Sequence, residues 1–180
     1  MCNSRFFLHD VDVFFNTMNI FYLHRDPVKA ARYQYNKHVV KMILESAQML
    51  CTAHHHYDNG DNVPYKKAHY NHPSTIWTRD NAYNYIWLYK HMIALGDEYT
   101  KRYGKVHLSI TKCKDPLFRL PPGIPTPKPL THTQPPQAMP DEYKDPCSVQ
   151  AYWNYYIGDK FNIAHKDETI YKTRPLCAAS

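Results

Sequence analysis

The chain has 180 residues, 43% of them hydrophobic, which is enough for one domain with a core of its own. It carries 22 Lys and Arg against 16 Asp and Glu, with 12 His and 16 Tyr, so it suits a polyanionic partner such as nucleic acid. An ordinary basic globular protein fits this composition equally well. Five scattered Cys without a CxxC pair argue against a zinc finger and a disulfide framework, and they favour a reducing, intracellular compartment.

Residues 1–17 are apolar only in patches, because His9, Asp10 and Asp12 interrupt them. They make a poor signal peptide, and no apolar run in the chain is long enough to cross a bilayer. Met18 opens "MNIFYL", which is typical of the start of a folded domain. We therefore interpret 1–17 as an extension or a misassigned start, 18–160 as the domain and 161–180 as a tail.

The domain begins with "NIFYL", which predicts a short strand or an extended entry segment. Asp26 followed by Pro27 predicts the start of a first helix. Asn36 is a candidate cap for a second helix. That second helix has apolar residues at helical spacing: Val39, Val40, Ile43, Leu44, Ala47 and Leu50.

The next stretch, "HHHYDNGDN", is a loop by composition. Pro73 starts a turn or a helix, and Asp80 or Asn81 can cap a long one. That helix ends with Lys101 and Arg102 in its last turn, followed by Gly104. A further short helix is predicted over 106–113.

Most of the 14 prolines fall in 115–146, which predicts an extended arm that wraps the helical core. A last helix is predicted over "CSVQAYWNYYIGDK", capped by Asp145 and Pro146. The predicted fold is mostly α: a single compact helical domain with a short extended N-terminal segment and a Pro-rich extended arm.

A polar stripe runs along the second helix, made of His38, Lys41, Glu45 and Gln48. The first and third lie seven residues apart, nearly two turns, so they share a face with Lys41 between them. A carboxyl beside apolar neighbours has a raised pKa and can act as a general acid or base. The alternative is the solvated face of an ordinary amphipathic helix.

Histidines also cluster between 54 and 72, but consecutive histidines on a helix point in different directions. No metal-ligand spacing is present, so we expect no metal and no cofactor. The long helix mixes aromatic and basic side chains. We interpret Trp87 and Tyr89 as core residues, and Arg79, Lys101 and Arg102 as contacts to phosphates.

Four segments, taken in order, carry a resemblance to a known family: "KHVVKMILE", "NHPSTIW", "EYTKRYG" and "AYWNYYIGDK". From Met18 to Lys160 the chain resembles the phage pyrimidine-dimer DNA glycosylase/AP lyase (endonuclease V-like) family. It is also similar to small phage proteins that contain "PPQAMPDEY". The resemblance is one of order and spacing, and the Pro-rich arm is additional.

The resemblance implies that Glu45 is the catalytic acid and that His38 holds the nearby sugar-phosphate. It implies DNA contacts from His72, Arg79, Lys101 and Arg102, and extrusion of a nucleotide from the stack. The family's nucleophile is an N-terminal α-amine. Two positions here differ from the family pattern: Leu44 stands where the family has a basic residue, and Asn19 is too bulky for removal of Met18. Lys41 is then the substitute amine.

Two functions stay open at this point. One is a DNA-acting enzyme, a base-excision glycosylase on a damaged or modified base with or without AP lyase activity. The other is a non-enzymatic phage accessory protein that binds nucleic acid or a host protein. We expect a monomer that acts on duplex DNA in the cytoplasm, the host's if the protein is phage-encoded.

Overall fold

The computed structural model describes residues 18–161, so the predictions for 1–17 and 162–180 lie outside the described residues. Within 18–161 the chain forms α-helices, two short 3₁₀ helices and no strand. The α-helices are α1 (Pro27–Arg32), α2 (Asn36–Tyr57), α3 (Pro73–Asp80), α4 (Ala82–Tyr103), α5 (Leu108–Cys113) and α6 (Ser148–Gly158). This confirms the mostly α prediction.

Local side chains set several helix ends as the sequence predicts. Asp26 accepts a hydrogen bond from the Lys29 backbone at the start of α1. Asn81 accepts bonds from two backbone N–H groups at the start of α4, and Gly104 ends that helix with a φ of 65°. The predicted cap at Asn36 is wrong, because Asn36 is already the first residue of α2 and the capping position, Tyr35, makes no side-chain cap bond.

Helices α2 and α4, 22 residues each, form the centre of the domain. Contacts at both ends show that they run antiparallel. Arg102 Nη1 donates to Asn36 Oδ1 at 3.0 Å at one end, and His54 Nε2 lies 3.0 Å from the Tyr85 hydroxyl at the other. Their apolar faces enclose a shared core that includes Met42, Ile43, Leu50, Leu88 and Leu95.

The N-terminal segment, residues 18–23, is extended and almost fully buried, with no strand partner in the described chain. The Leu23 carbonyl accepts from the Trp153 indole at 2.8 Å, which ties the segment to α6. Phe21 has a φ of 50°, a strained value for an aromatic residue. The segment is therefore held by tertiary contacts rather than by its own secondary structure.

The Pro-rich arm, residues 115–146, lies across this assembly. Its only regular elements are the two 3₁₀ turns, Pro116–Phe118 and Asp141–Tyr143. Thr133 Oγ1 accepts from the Trp77 indole at 2.9 Å, and the Ala138 carbonyl accepts from the Asn19 side chain at 2.9 Å. The arm thus joins α3 to the N-terminal segment.

Two further properties of residues 18–161 bear on the sequence predictions. None of their helices is both long and apolar enough to cross a membrane. Cys51 and Cys113 are free, buried thiols, but Cys147 is disulfide-bonded.

Candidate active site on helix α2

Glu45 lies near the middle of α2, and only 8% of its surface is exposed. Each of its carboxylate oxygens faces a nitrogen. Oε2 accepts from the backbone N–H of Asn19 at 2.9 Å, and Oε1 lies 3.1 Å from Lys41 Nζ. The carboxylate therefore bridges the N-terminal segment and the exposed edge of α2.

Burial raises the pKa of the Glu45 carboxyl above its usual range, because water no longer solvates the charged form. The Asn19 N–H bond, the Lys41 ammonium and His69 oppose this shift, in that order. Burial has the larger effect. A carboxyl with a raised pKa is a better general acid than an ordinary one, and its ionised form can stabilise a positive charge that develops next to it.

His38 is buried nearly two helical turns before Glu45, and its ring stacks on Phe21 with the ring centres 4.2 Å apart. His38 Nδ1 lies 2.6 Å from the Tyr156 hydroxyl. That hydroxyl also accepts from the Tyr35 backbone N–H at 3.0 Å. A distance of 2.6 Å suits an O–H donor better than an N–H donor. Tyr156 thus donates to Nδ1, and the ring proton of His38 is on Nε2.

Burial lowers the pKa of His38 to about 3, with smaller contributions from the cations Lys160 and Lys41. His38 is therefore neutral at physiological pH. A neutral imidazole with its proton fixed on Nε2 can donate one hydrogen bond to a phosphate or sugar oxygen without exchanging a proton. This property matches a binding role better than a proton-transfer role.

Lys41 is the accessible member of the site, with 46% of its side chain exposed. It approaches Glu45 one helical turn away on α2, so the pair is both local and open to solvent. Gln48, the fourth residue of the stripe, is half-buried one turn beyond Glu45.

Asn19 belongs to the site and was not predicted from the sequence. Its backbone nitrogen binds Glu45, and its side chain holds the segment by accepting from Ile20 and Phe21 N–H and donating to the Ala138 carbonyl. The available signal was its place at the start of "NIFYL". Periodicity along a helix cannot report a contact from an extended segment 26 residues away.

The predicted DNA contacts around α3 are packed into the structure. His72 Nδ1 accepts from the Ser74 backbone at 3.2 Å and so caps α3. Arg79 is 9% exposed, its guanidinium donates to the Tyr70 carbonyl at 2.6 Å, and it lies 4.0 Å over the Tyr70 ring. Their roles in DNA binding remain predictions, and the structure gives each a positioning role.

The predicted contacts at the end of α4 differ from each other. The Arg102 guanidinium donates to the Glu98 carboxylate and to the Gln34 and Arg32 carbonyls, at 2.8–3.2 Å. Lys101, its neighbour, is exposed. Of the two, Lys101 is the side chain that can reach a phosphate without breaking internal bonds.

The histidines between 54 and 72 do not converge. Within residues 18–161 no three His, Cys, Asp or Glu side chains are arranged to hold a metal ion. The polar groups that do converge are those of Asn19, Lys41 and Glu45, with His38 on the same face of α2.

Comparison with known proteins gives one family. The family model for pyrimidine dimer DNA glycosylase matches residues 18–111, just over half of the chain. The match begins at Met18 and contains α1 to α4 with Asn19, His38, Lys41 and Glu45. No curated protein and no solved structure matches the chain. The chain belongs to the pyrimidine dimer DNA glycosylase family.

Proposed function

We propose that this protein is a DNA N-glycosylase that removes a damaged or modified base, with the Glu45 carboxyl as its catalytic group. The observation that carries the proposal is the carboxylate itself: buried, with a raised pKa, and with a nitrogen at each oxygen. Family membership supports a DNA substrate and glycosylase chemistry.

The chemistry suits such a carboxyl. When the bond from the base to C1′ of deoxyribose breaks, positive charge develops on the sugar ring. A carboxylate held in a poorly solvated site stabilises that charge more strongly than water does. The protonated form can also deliver a proton to the departing base or to the opened sugar oxygen.

An associated AP lyase activity requires an amine that attacks C1′ and forms a Schiff base. Two nitrogens lie at the right place. Lys41 Nζ is 3.1 Å from Glu45 Oε1, and it is an amine in the chain as it stands. Asn19 N is 2.9 Å from Oε2, but it is a peptide nitrogen whenever Met18 precedes it. We therefore assign the nucleophile to Lys41.

DNA binding completes the proposal. Neutral His38 donates from Nε2 to the sugar-phosphate beside the reacting nucleotide, and Lys101 contacts the backbone. His72, Arg79 and Arg102 support these contacts by holding α3 and α4 in place. The reacting nucleotide, or the one opposite, leaves the stack so that C1′ can reach Glu45.

The first experiment is borohydride trapping with chains begun at Met1 and at Met18. The substrates are duplexes that carry one cyclobutane pyrimidine dimer, one abasic site or no lesion. Cleavage of a glycosidic bond at the dimer, detected as an alkali-labile abasic site and absent from the undamaged duplex, is the expected result for the glycosylase. A trapped adduct establishes the amine, and peptide mapping distinguishes Lys41 from an N-terminal amine.

If neither chain gives a trapped adduct, the lyase activity is ruled out and a monofunctional glycosylase remains. Absence of glycosidic cleavage at the dimer together with no adduct on the abasic duplex, with DNA binding retained, overturns the enzymatic proposal and leaves a binding protein.

A further inference from the structure

A second concave site lies where the Pro-rich arm crosses the start of α1 and the first half of α4. It is a cavity of about 350 Å³, at the lower end of the range for ligand sites. Within residues 18–161, no hydrogen bond or ring contact of its lining residues reaches Glu45, His38 or Lys41. We name it the arm pocket; its lining is Arg25, Asp26, Pro27, Tyr83, Ile86, Trp87, Lys90, Leu130, Thr131 and His132.

The floor of the arm pocket is fixed by hydrogen bonds. The Trp87 indole donates to the Arg25 carbonyl at 2.7 Å, and His132 Nε2 lies 2.7 Å from the Tyr22 hydroxyl. The Trp87 and His132 rings are 5.8 Å apart. These side chains hold their orientation before any ligand arrives, which lowers the entropic cost of binding.

Two cationic side chains of the lining have no internal partner in the described chain. The side chains of Arg25 and Lys90 are exposed, and neither forms a hydrogen bond or an ion pair in the described chain. The one acidic lining residue, Asp26, already accepts from the Lys29 backbone at 2.9 Å through Oδ1. The pocket therefore has a net positive charge that internal contacts do not neutralise.

The rest of the lining includes apolar and aromatic side chains. Leu130, on the arm, is 67% exposed. Tyr83 and Ile86, on α4, are half-buried. Two cations without an internal partner and an aromatic and apolar surface in one pocket match the two halves of a nucleotide, its phosphate and its base. A simple inorganic anion would make no use of the apolar half.

We propose that the arm pocket binds one unpaired nucleotide, with its phosphate at Arg25 and Lys90 and its base against Tyr83 and Leu130. The site is formed jointly by the family region and by the arm, which lies beyond residue 111. The proposal rests on the proposed DNA-acting function only for the source of that nucleotide, a DNA strand rather than a free nucleotide.

The test is binding of an undamaged, fluorescently labelled single strand of about ten nucleotides to the full chain, followed by anisotropy at several salt concentrations. Arg25→Ala and Lys90→Ala are each expected to weaken binding about three- to tenfold. Each should also reduce the salt slope of log K by about 0.7, since each removes one phosphate contact. Tyr83→Ala should weaken binding and leave the salt slope unchanged, because stacking releases no counterion.

Lys112→Ala is the matched control, since Lys112 is an exposed lysine on α5 and does not line the pocket. If it weakens binding as much as Lys90→Ala does, the effect is one of overall charge and the proposal is overturned. Equal salt slopes for all variants overturn it as well.

Competition by an unlabelled mononucleotide identifies the source. If the mononucleotide competes only at far higher concentration than an unlabelled strand, the DNA assignment holds. If it competes as well as the strand, the DNA assignment is wrong and the pocket binds a free nucleotide. Because no excision is measured, failure of the glycosylase proposal leaves these results unaffected.

Discussion

Helix α2 carries two polar regions that behave in opposite ways. In its middle, Glu45 meets nitrogens from Asn19 and Lys41, and the Lys41 side chain is open to solvent. At its C-terminal end, His54 is fixed between the Tyr85 hydroxyl and the Asp58 carboxylate, at 3.0 and 3.3 Å.

The neighbours of His54 follow the same pattern. His55 bonds the carbonyls of Asn59 and Tyr65, and His56 bonds the Tyr70 hydroxyl. Each imidazole holds a different part of the loop that follows α2. The comparison teaches that polar side chains on one helix form a site when their partners converge and one of them stays accessible. When each has a separate partner, they stabilise the fold instead.

The largest expected effect is the loss of excision in Glu45→Gln, which we compare with the same change at Asp58. Glu45→Gln keeps the shape and removes the charge, so we expect base release to fall by roughly 100- to 10,000-fold. DNA binding should change by less than about threefold. Single-turnover excision and anisotropy measure the two quantities.

Asp58→Asn is the control, because it makes the same acid-to-amide change at the C-terminal cap of α2 and should leave excision within about twofold. Equal losses in the two variants would show that α2 carries no localised catalytic carboxyl.

The second prediction concerns the proton on His38. Tyr156→Phe removes the hydroxyl that donates to Nδ1, and we expect excision to fall about tenfold, mainly through weaker substrate binding. In ¹⁵N NMR spectra, the wild type should show His38 with its proton on Nε2, and the variant should show a mixture of tautomers.

Tyr152→Phe is matched to it: the same atom is removed from the same helix, but that hydroxyl donates to the Pro136 carbonyl. It should leave the His38 spectrum unchanged. If both variants lose activity equally with the His38 tautomer intact, Tyr156 has only a packing role.

The third prediction is acid sensitivity. Because the pKa of His38 falls from 6.5 to about 3 on folding, its neutral form stabilises the fold above pH 6.5. That stability is lost as the pH falls toward 3, by at most roughly 1.4 kcal/mol per pH unit. His38→Gln should flatten the decline in the free energy of unfolding between about pH 6.5 and pH 5, measured by urea denaturation. An unchanged slope would contradict a buried neutral His38.

The smallest expected effect is that of Lys41→Gln on stability. The pair with Glu45 is half-exposed, so we expect less than about 1 kcal/mol. The effect of Lys41→Gln on the pH dependence of excision is more informative. Lys41 lowers the pKa of Glu45, so its removal should move the Glu45 limb of the excision profile to higher pH. A profile that does not move would place Lys41 outside the electrostatic reach of the reacting carboxyl.

The raised pKa of Glu45 also determines how the stability of the fold changes with pH. The neutral acid is favoured in the folded state, so this contribution is complete below the ordinary Glu pKa and is lost as the pH rises through the raised value. At a pH above that raised value the charged Glu45 therefore reduces stability. There, Glu45→Gln should unfold at the same temperature as the wild type or a higher one.

Local sequence signals predicted the helices because each signal acts within a few residues. Asp26 and Asn81 cap helices whose N–H groups are their neighbours, and Gly104 ends α4 because it takes up a positive φ without strain. The stripe on α2 was visible for the same reason, since its members are spaced by whole turns.

Contacts between residues that are far apart in the chain could not be predicted from such local signals. Nothing local to Asn19 indicates that its nitrogen faces Glu45, and nothing near His38 indicates a hydroxyl 118 residues later in the chain. The same limit affects Arg79 and Arg102. Sequence reasoning treats an arginine near aromatics as available to DNA, while the fold uses both guanidiniums for internal bonds.

The contact between the N-terminal segment and the end of the fold has a consequence for synthesis. The segment that positions Glu45 is held by the Ala138 carbonyl, 119 residues away, and by Trp153, 130 residues away from Leu23. A ribosome adds roughly 5–20 residues per second, so α2 leaves it several seconds before its partners in the arm and α6 exist. The nascent chain therefore carries Glu45 long before it carries the surroundings that shift its pKa. The proposed excision activity should therefore emerge only after α6 is released.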